Sequence, residues 1–459
     1  MRSSHTPAAV SAEFDDPNLV SCAGLIPLIR LAENIGLADI AEDTVHLGGP
    51  AGANPGAKIS TIVAGMAAGA DSIDDLDITR HSAMTTLFTG TRAPSTLGTF
   101  LRWHTPGHVA QLEKMAATCL TRLTATTPLL PGITELAFLD LDSKITEVFG
   151  RHKEGARYGY TKKRGLNFLA ATLSTPHAAP VITNTRLRGG NADTRRNITS
   201  FATRALTVAR DCGATGTVLV RGDSGFYVGA LIAALTARGV FFSVTARQTK
   251  TLLARVAALP DHVWSPITYD TPVTDDTTGE TITTAELTEI DYTAFTNPTL
   301  NPGQQTTARL IIRRTPVTAV NDQGELFTAW RYYMIFTNSP FDIVTAETQH
   351  RDRAGAIEQV FADLNSSALA HFPSGKFHAN AAWLTLAALT HNLTRALGCL
   401  AGGRHARQRT TTLRRLLVTV PARVARSARR ITLHLPEGWR SEQAWLQVFT
   451  STHRPPTPA

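Results

Sequence analysis

The sequence predicts an α/β protein with a β-rich insertion, preceded by an N-terminal helical domain. Three observations carry that expectation. Apolar residues recur at helical spacing from about Leu25 to Leu130, short β-rich runs alternate with helix-like segments after Glu135, and a Thr-, Pro- and Asn-rich stretch from about Val263 to Pro340 precedes two further helices. A chain of 459 residues, 43% hydrophobic and 18% charged, is long enough for two or three domains and apolar enough to bury a substantial core.

In chain order, residues 1–24 are expected to form a disordered N-terminus and residues 451–459, with Pro455, Pro456 and Pro458, a disordered tail. Residues 25–130 read as a helical, candidate DNA-binding domain, broken at Gly48-Gly49-Pro50, Pro55-Gly56, Pro94 and Pro106-Gly107. Ser95 is placed to cap a helix there, with Arg92, Arg102 and His104 near its ends. A purely structural bundle explains the same pattern, because Asp71, Asp74, Asp75 and Asp77 put negative charge close by.

Residues 131–260 change period. Strand runs over Glu135 to Leu141, Gly165 to Leu173 and Val181 to Arg186 precede a helix over Ser200 to Cys212, a strand over Thr217 to Val220, a helix over Val228 to Arg238 and a strand over Phe241 to Thr245. That is the element order of a ribonuclease-H-like core, parts of which many α/β folds share. Residues 261–340 form the β-rich insertion, with strand-like runs at Ala308 to Arg314 and Trp330 to Thr337. Residues 341–400 return to the core, with a helix from about Ile343 to Leu369 and another over Ala379 to Leu397, and residues 401–450 are a basic C-terminal region.

The net charge of +8 and a pI near 9.5 point to a polyanionic partner, since cations that neutralise phosphates release counterions. Between Arg395 and Arg440, Arg404, Arg407, Arg409, Arg414, Arg415, Arg423, Arg426, Arg429 and Arg430 accumulate with hardly an acid to offset them, which reads as a footprint for phosphates; a solvated, arginine-rich helical face accounts for the same run. No apolar run approaches the roughly 18 residues of a membrane span, and Met1 to Pro17 lacks a signal-peptide layout, so a cytoplasmic protein away from membranes is expected. Cys22, Cys119, Cys212 and Cys399 lie too far apart for a C-x-x-C site and read as reduced, mostly buried thiols. His104 and His108 straddle Pro106-Gly107 with no Glu after the first, and no glycine-rich phosphate loop is present, which sets aside a zinc protease and ATP-dependent chemistry.

Three places carry candidate chemistry. In Ala137-Phe138-Leu139-Asp140-Leu141-Asp142, the two aspartates share one face of an otherwise apolar strand, where a carboxylate is costly unless paired or bound to a cation; an edge strand with two solvated aspartates is the plainer alternative. In Val218-Leu219-Val220-Arg221-Gly222-Asp223-Ser224-Gly225-Phe226, an apolar strand ends in a glycine-flanked aspartate, where α/β folds place their ligands; a simple helix cap by Asp223 is the alternative. On the helix through Arg351, Arg353 and Glu358, Ile357, Phe361 and Leu364 form an apolar stripe with Glu358 at its edge, although a surface glutamate is the commoner case. Two-metal phosphoryl transfer needs hard oxygen ligands, and carboxylates on a central strand, at the end of a neighbouring strand and on a following helix can meet at one point, although spacing alone does not identify them.

Taken together, Leu139-Asp140-Leu141-Asp142, Phe149-Gly150-Arg151, Arg221-Gly222-Asp223-Ser224-Gly225-Phe226 and Arg351 to Glu358 resemble the DDE insertion-sequence transposases of the IS-thirteen-eighty group, within the IS-four-like set, from about Leu25 to Phe449. The resemblance implies a ribonuclease-H-like catalytic domain and Mg²⁺-dependent cut-and-paste transposition. It places Asp142, Asp223 and Glu358 as catalytic metal ligands for two Mg²⁺ ions, with Mn²⁺ able to substitute and Asp140 as the alternative to Asp142. The implied partners are double-stranded DNA, as terminal inverted repeats and target, and a second copy of the chain in a synaptic homodimer at the bacterial nucleoid. Arg351, Ala354 and Asn365 stand where the wider family has a tyrosine, an arginine and a lysine on one helical face; a one-residue bulge would bring Arg353 or His350 into that role.

Between the first two acids, Arg151, Lys153, Lys162, Lys163 and Arg164 interleave with Tyr158 and Tyr160, which suits a DNA backbone and unpaired bases; with Arg351 and Arg353 they are the candidate DNA contacts. Trp264 or Trp330 could stack on a flipped base. A nuclease without strand transfer, or a domesticated relative that only binds DNA, are the competing readings.

Overall fold

The structure, a computed structural model, describes residues 1, 3–159, 162–274, 281–320 and 326–453; Tyr160 and residues 454–459 of the expected tail lie outside them. The chain is a mixed α/β protein around a sheet of ten strands among the described residues. β1 (Leu136–Glu147), β2 (Arg164–Thr175) and β3 (Ala178–Gly189) form an antiparallel meander. β4 (Thr217–Gly222) then pairs parallel to β1, and β5 (Phe241–Thr245) parallel to β4. The spatial order is β3-β2-β1-β4-β5, and the two-residue strand Arg157–Tyr158 also pairs with β2. Parallel neighbours need crossovers, here through helices over Ile198–Asp211 and Gly229–Thr236.

Residues 261–340 extend this sheet instead of leaving it. β6 (Ser265–Thr274), β7 (Thr281–Ala294), β8 (Thr306–Val320) and β9 (Leu326–Thr337) form an antiparallel run, and β9 pairs with β5 through Ile335↔Thr245 and Thr337↔Ser243. Sequence patterning found segments of β8 and β9 and missed β6 and β7. In β7, Ala285 and Leu287 are buried while Glu286 and Glu289, on opposite faces of the strand, pair with Arg314 and Arg309 of β8, so charged residues interrupt the apolar alternation and mask the strand.

On the N-terminal side, α1 (Leu25–Asn34), α2 (Leu37–Thr44), α3 (Pro55–Ala68), α4 (Pro94–Arg102) and α5 (Pro106–Thr126) are the longer helices. The α4 cap is Ala93 with Pro94 at the first position, so Ser95 lies inside the helix and caps nothing. The expected disorder of residues 1–24 holds poorly at its C-terminal end. Leu19–Val20 pairs with Arg423 and Ala422, and Val20, Cys22 and Ala23 are buried, because a free strand edge in the C-terminal region takes up their backbone. Residues 451–453, placed in the tail by sequence, complete the last helix, α8 (Glu442–His453).

Two long helices close the fold. α6 (Ile343–Asn365) opens with Asp342 accepting from the Thr345 N–H at 3.0 Å and crosses the sheet over β7, β4, β1 and β3. It is continuous, without the bulge that would have shifted Arg353 into register. α7 (Phe377–Ala401) is apolar around most of its circumference and is accordingly buried along its length, against β3 on one side and α3, α4 and α5 on the other. Asn392 on α7 closes the exposed backbone of β3, accepting from Ile182 N–H and donating to Ile182 C=O, both at 2.8 Å. Among the described residues no helix is long and apolar enough to cross a membrane.

Candidate active site

Parallel pairing of β1 with β4 ends at Leu141↔Gly222, so Asp142 and Asp223 are the next residues on adjacent strands, at the carboxyl edge of the parallel pair. Burial pushes the Asp142 carboxyl up to about 6. The charges of Asp223 and Asp140 add to the rise, against the Arg353 guanidinium, 3.6 Å away, and the Ser143 N–H. A half-buried carboxyl facing a second carboxylate is a pair of hard oxygen donors whose repulsion a divalent cation would relieve.

The turn around Asp223 explains the Arg-Gly-Asp-Ser-Gly-Phe run residue by residue. Asp223 accepts from the Gly225 N–H at 2.9 Å and caps the short turn Ser224–Phe226. A Cβ on Gly222 would meet Phe226 Cβ at 2.8 Å, closer than side chains approach, and one on Gly225 would press on Asp223 Oδ1 at 3.0 Å, so both glycines suit the tight turn. Arg221 is buried: Nε and Nη2 grip the two oxygens of Asp140 at 2.6 and 2.7 Å, and Nη1 donates to the Gln349 carbonyl of α6. Asp140 is fully buried and both of its oxygens accept from Arg221, so its charge is already neutralised by a guanidinium.

Glu358 is exposed on α6, one turn beyond Arg353, and among the described residues no group of three His, Cys, Asp or Glu side chains comes together to hold a metal. The two aspartates are thus brought together and the glutamate is not. Arg353, which sequence patterning assigned to DNA, has buried Nε and Nη1 atoms without a hydrogen-bond acceptor beside Asp142. Arg351 lies 3.5 Å from the buried Glu347, whose carboxyl burial pushes up and which Arg313 also approaches at 3.2 Å. Of the other assigned cations, Arg151 and Lys162 are exposed, Lys163 pairs with Glu147 at 3.6 Å, and Lys153 and Arg164 bond backbone carbonyls, of Phe372 and of Gly150 and Arg151, and so brace the loop. Trp264 and Trp330 stand on either side of the Arg314 guanidinium, at 4.2 and 4.1 Å, which takes a face of each ring that a base would need.

A cavity of about 460 Å³ adjoins the Asp223 turn at Gly225, lined by Ile145, Asn167, Asn191, Arg195 and Arg247 among others. A cleft of about 780 Å³ lies away from this edge, between residues 13–21, 78–84 and 421–436.

His350 is a buried group that sequence patterning left without a partner. Its ring nitrogens bond Ser243 Oγ at 2.9 Å and Thr245 Oγ1 at 3.0 Å, and burial, with the guanidinium groups of Arg353, Arg221 and Arg313, pushes it down to about 3. Burial likewise pushes His104 and His391 down to about 4. The unfolded chain protonates each below about pH 6.5 while the folded chain does not, so their contribution is complete above that pH and is lost as pH falls toward 4, at up to about 1.4 kcal/mol per pH unit per histidine. Urea unfolding at pH 7 and pH 5 is expected to show this loss, and a smaller one for His350→Gln; equal losses would exclude His350.

A comparison with curated protein sequences found no match. The sequence profile of the transposase DDE domain, group 1, matches residues 3–456, and the chain therefore belongs to that transposase family.

Proposed function

We propose that the chain is a cut-and-paste DNA transposase of the IS-thirteen-eighty group, built on a ribonuclease-H-like core. The observation that carries the reading is the meeting of Asp142 and Asp223 where the parallel pairing of β1 with β4 ends, with the Asp142 carboxyl raised by burial and by its neighbour. The strand order β3-β2-β1-β4-β5, with β2 antiparallel to its neighbours, supports the core assignment. Residues 25–130 serve in DNA recognition, and Arg151 and Lys162 at the exposed loop meet the backbone near the scissile bond.

Asp142 and Asp223 fit as carboxylate ligands of Mg²⁺, with Glu358 completing the set once α6 or its side chain turns toward them. When bound, two such ions activate the attacking oxygen and stabilise the leaving one. A water oxygen attacks the phosphorus at the element end and the 3′ oxygen departs as a hydroxyl. That 3′-hydroxyl then attacks a target phosphodiester, forming one P–O bond as another breaks, so no nucleotide is consumed. Arg353, with buried nitrogens that lack acceptors, is positioned to hold a phosphate oxygen. Two ends must be synapsed, which calls for a homodimer on the nucleoid.

The exposure of Glu358 favours a second reading, a relative that binds DNA without cutting it. The test is cleavage of DNA carrying the element end, in Mg²⁺, by the unaltered chain, Asp223→Ala and Glu358→Gln. Cutting by the unaltered chain alone, with binding retained by all three, supports the transposase; equal binding with no cutting by any of them establishes the second reading.

A further inference from the structure

Five arginines of the C-terminal region are already engaged by other parts of the chain. Arg395 is buried and donates to the carbonyls of Ala406 and Gln408. Arg407 donates to the Pro176 and His177 carbonyls at 2.9 and 3.2 Å, Arg409 pairs with the buried Asp363 at 2.8 Å, Arg414 donates to the Ser366 carbonyl at 2.9 Å, and Arg423 pairs with Asp16 at 3.3 Å. These five tie the region to the rest of the chain, and the phosphate footprint expected from composition shrinks accordingly.

Three others sit on one element, while Arg404, Arg415 and Arg440 are exposed elsewhere. β10 (Ala422–Ser427) and β11 (Arg430–His434) form an antiparallel hairpin turning at Ala428-Arg429. Arg426, Arg429 and Arg430 are all exposed on it, and none forms an ion pair among the described residues. The root is fixed: Ala422 and Val424 are buried, the Val424 N–H donates to the Asn18 carbonyl at 2.8 Å, and Leu19–Val20 adds a third strand. Acidic Asp15 and Asp16 lie at that root, beside Arg423, and not at the tip. The register places Arg430 opposite Ser427 and Arg426 opposite Ile431, so the two arginines project from opposite faces of the ribbon, with Arg429 at its apex.

A two-stranded ribbon fits the major groove of B-DNA, about 12 Å wide, and cations on both of its faces then meet phosphates on both walls. We propose that the hairpin over residues 422–434 enters a groove of duplex DNA, with Arg426 and Arg430 on phosphates of the two walls and Arg429 on a third. The proposal rests on the reading of this chain as a DNA-binding transposase.

The test compares the full unaltered chain with Arg426→Ala/Arg429→Ala/Arg430→Ala and with the corresponding triple lysine variant. Affinity for a fluorescent duplex is measured without divalent metal over a range of salt concentration. Each lost phosphate contact removes about 0.9 from the slope of log affinity against log salt, so the alanine variant is expected to have a slope shallower by about 2 to 3, and the lysine variant an unchanged one. Melting temperatures of all three should coincide, since the side chains are exposed. An alanine slope equal to that of the unaltered chain overturns the proposal, as does an equal fall in the lysine variant. If the unaltered chain binds no duplex at all, the transposase reading fails first.

Discussion

Replacing Asp140 by alanine is expected to cost about 3–5 kcal/mol of folding stability, because it strands a buried guanidinium. Arg221 is almost without solvent contact, lies 4.1 Å over the Phe138 ring and joins β4 to both β1 and the Gln349 carbonyl of α6. Arg221→Ala should cost a similar amount by leaving Asp140 unpaired. Asp140→Leu with Arg221→Met should recover most of the loss, since no charge is then buried. Urea denaturation of the four proteins measures these differences, and an Asp140→Ala variant within about 1 kcal/mol of the unaltered chain would show that the pair is not what holds this edge together.

Two residues along the same strand, the opposite result is expected. Asp142→Asn should abolish Mg²⁺-dependent cleavage, by on the order of 10³-fold or more, as should Asp223→Asn, while the metal-free fold is kept. For Asp142 the fold should even gain. Its carboxyl stands at about 6, above the ordinary value of 3.8, so the folded state holds a proton that the unfolded chain releases. The resulting penalty is absent below about pH 4 and complete above about pH 6. Asp142→Asn removes it, raising stability at pH 8 by about 1–3 kcal/mol, less whatever the Arg353 pairing contributes, with little change at pH 4. Denaturation of both proteins at the two pH values checks the sign; a variant that is destabilised more at pH 8 than at pH 4 would contradict the assignment.

Much of this site is legible in the sequence, for reasons specific to each residue. Asp223 stands out because an apolar strand ends there in a glycine-flanked acid, and the close approaches at Gly222 and Gly225 are what those glycines permit, although the same residue also caps the turn that follows. Asp140 and Asp142 are detectable as a pair but cannot be told apart, because what separates them is Arg221, a residue 81 positions away that reaches only one of them. The strands of the core follow from apolar runs. β7 does not, because Glu286 and Glu289 are paired with Arg314 and Arg309 of β8 across the sheet and with nothing nearby in sequence. Glu358 has the right helix and the right stripe edge, yet its exposure is a matter of helix rotation, which the 3.6-residue period leaves open by tens of degrees. The arginine-rich C-terminus shows the same limit from the other side: composition counts cations and cannot say which ones carbonyls have already engaged.

The burial of α7 also has a bearing on how the chain is made. Its flanks cover α3, α4 and α5, whose residues precede it by more than 250 positions. At about 5–20 residues per second, the ribosome delivers α7 roughly 15–50 s after α5. Throughout that interval the nascent chain carries apolar helix faces with nothing to cover them. The N-terminal helices are therefore not a detachable module that matures early. Newly made chains should depend on chaperones until the last third has been synthesised, and an isolated N-terminal fragment should aggregate where the whole protein stays dispersed.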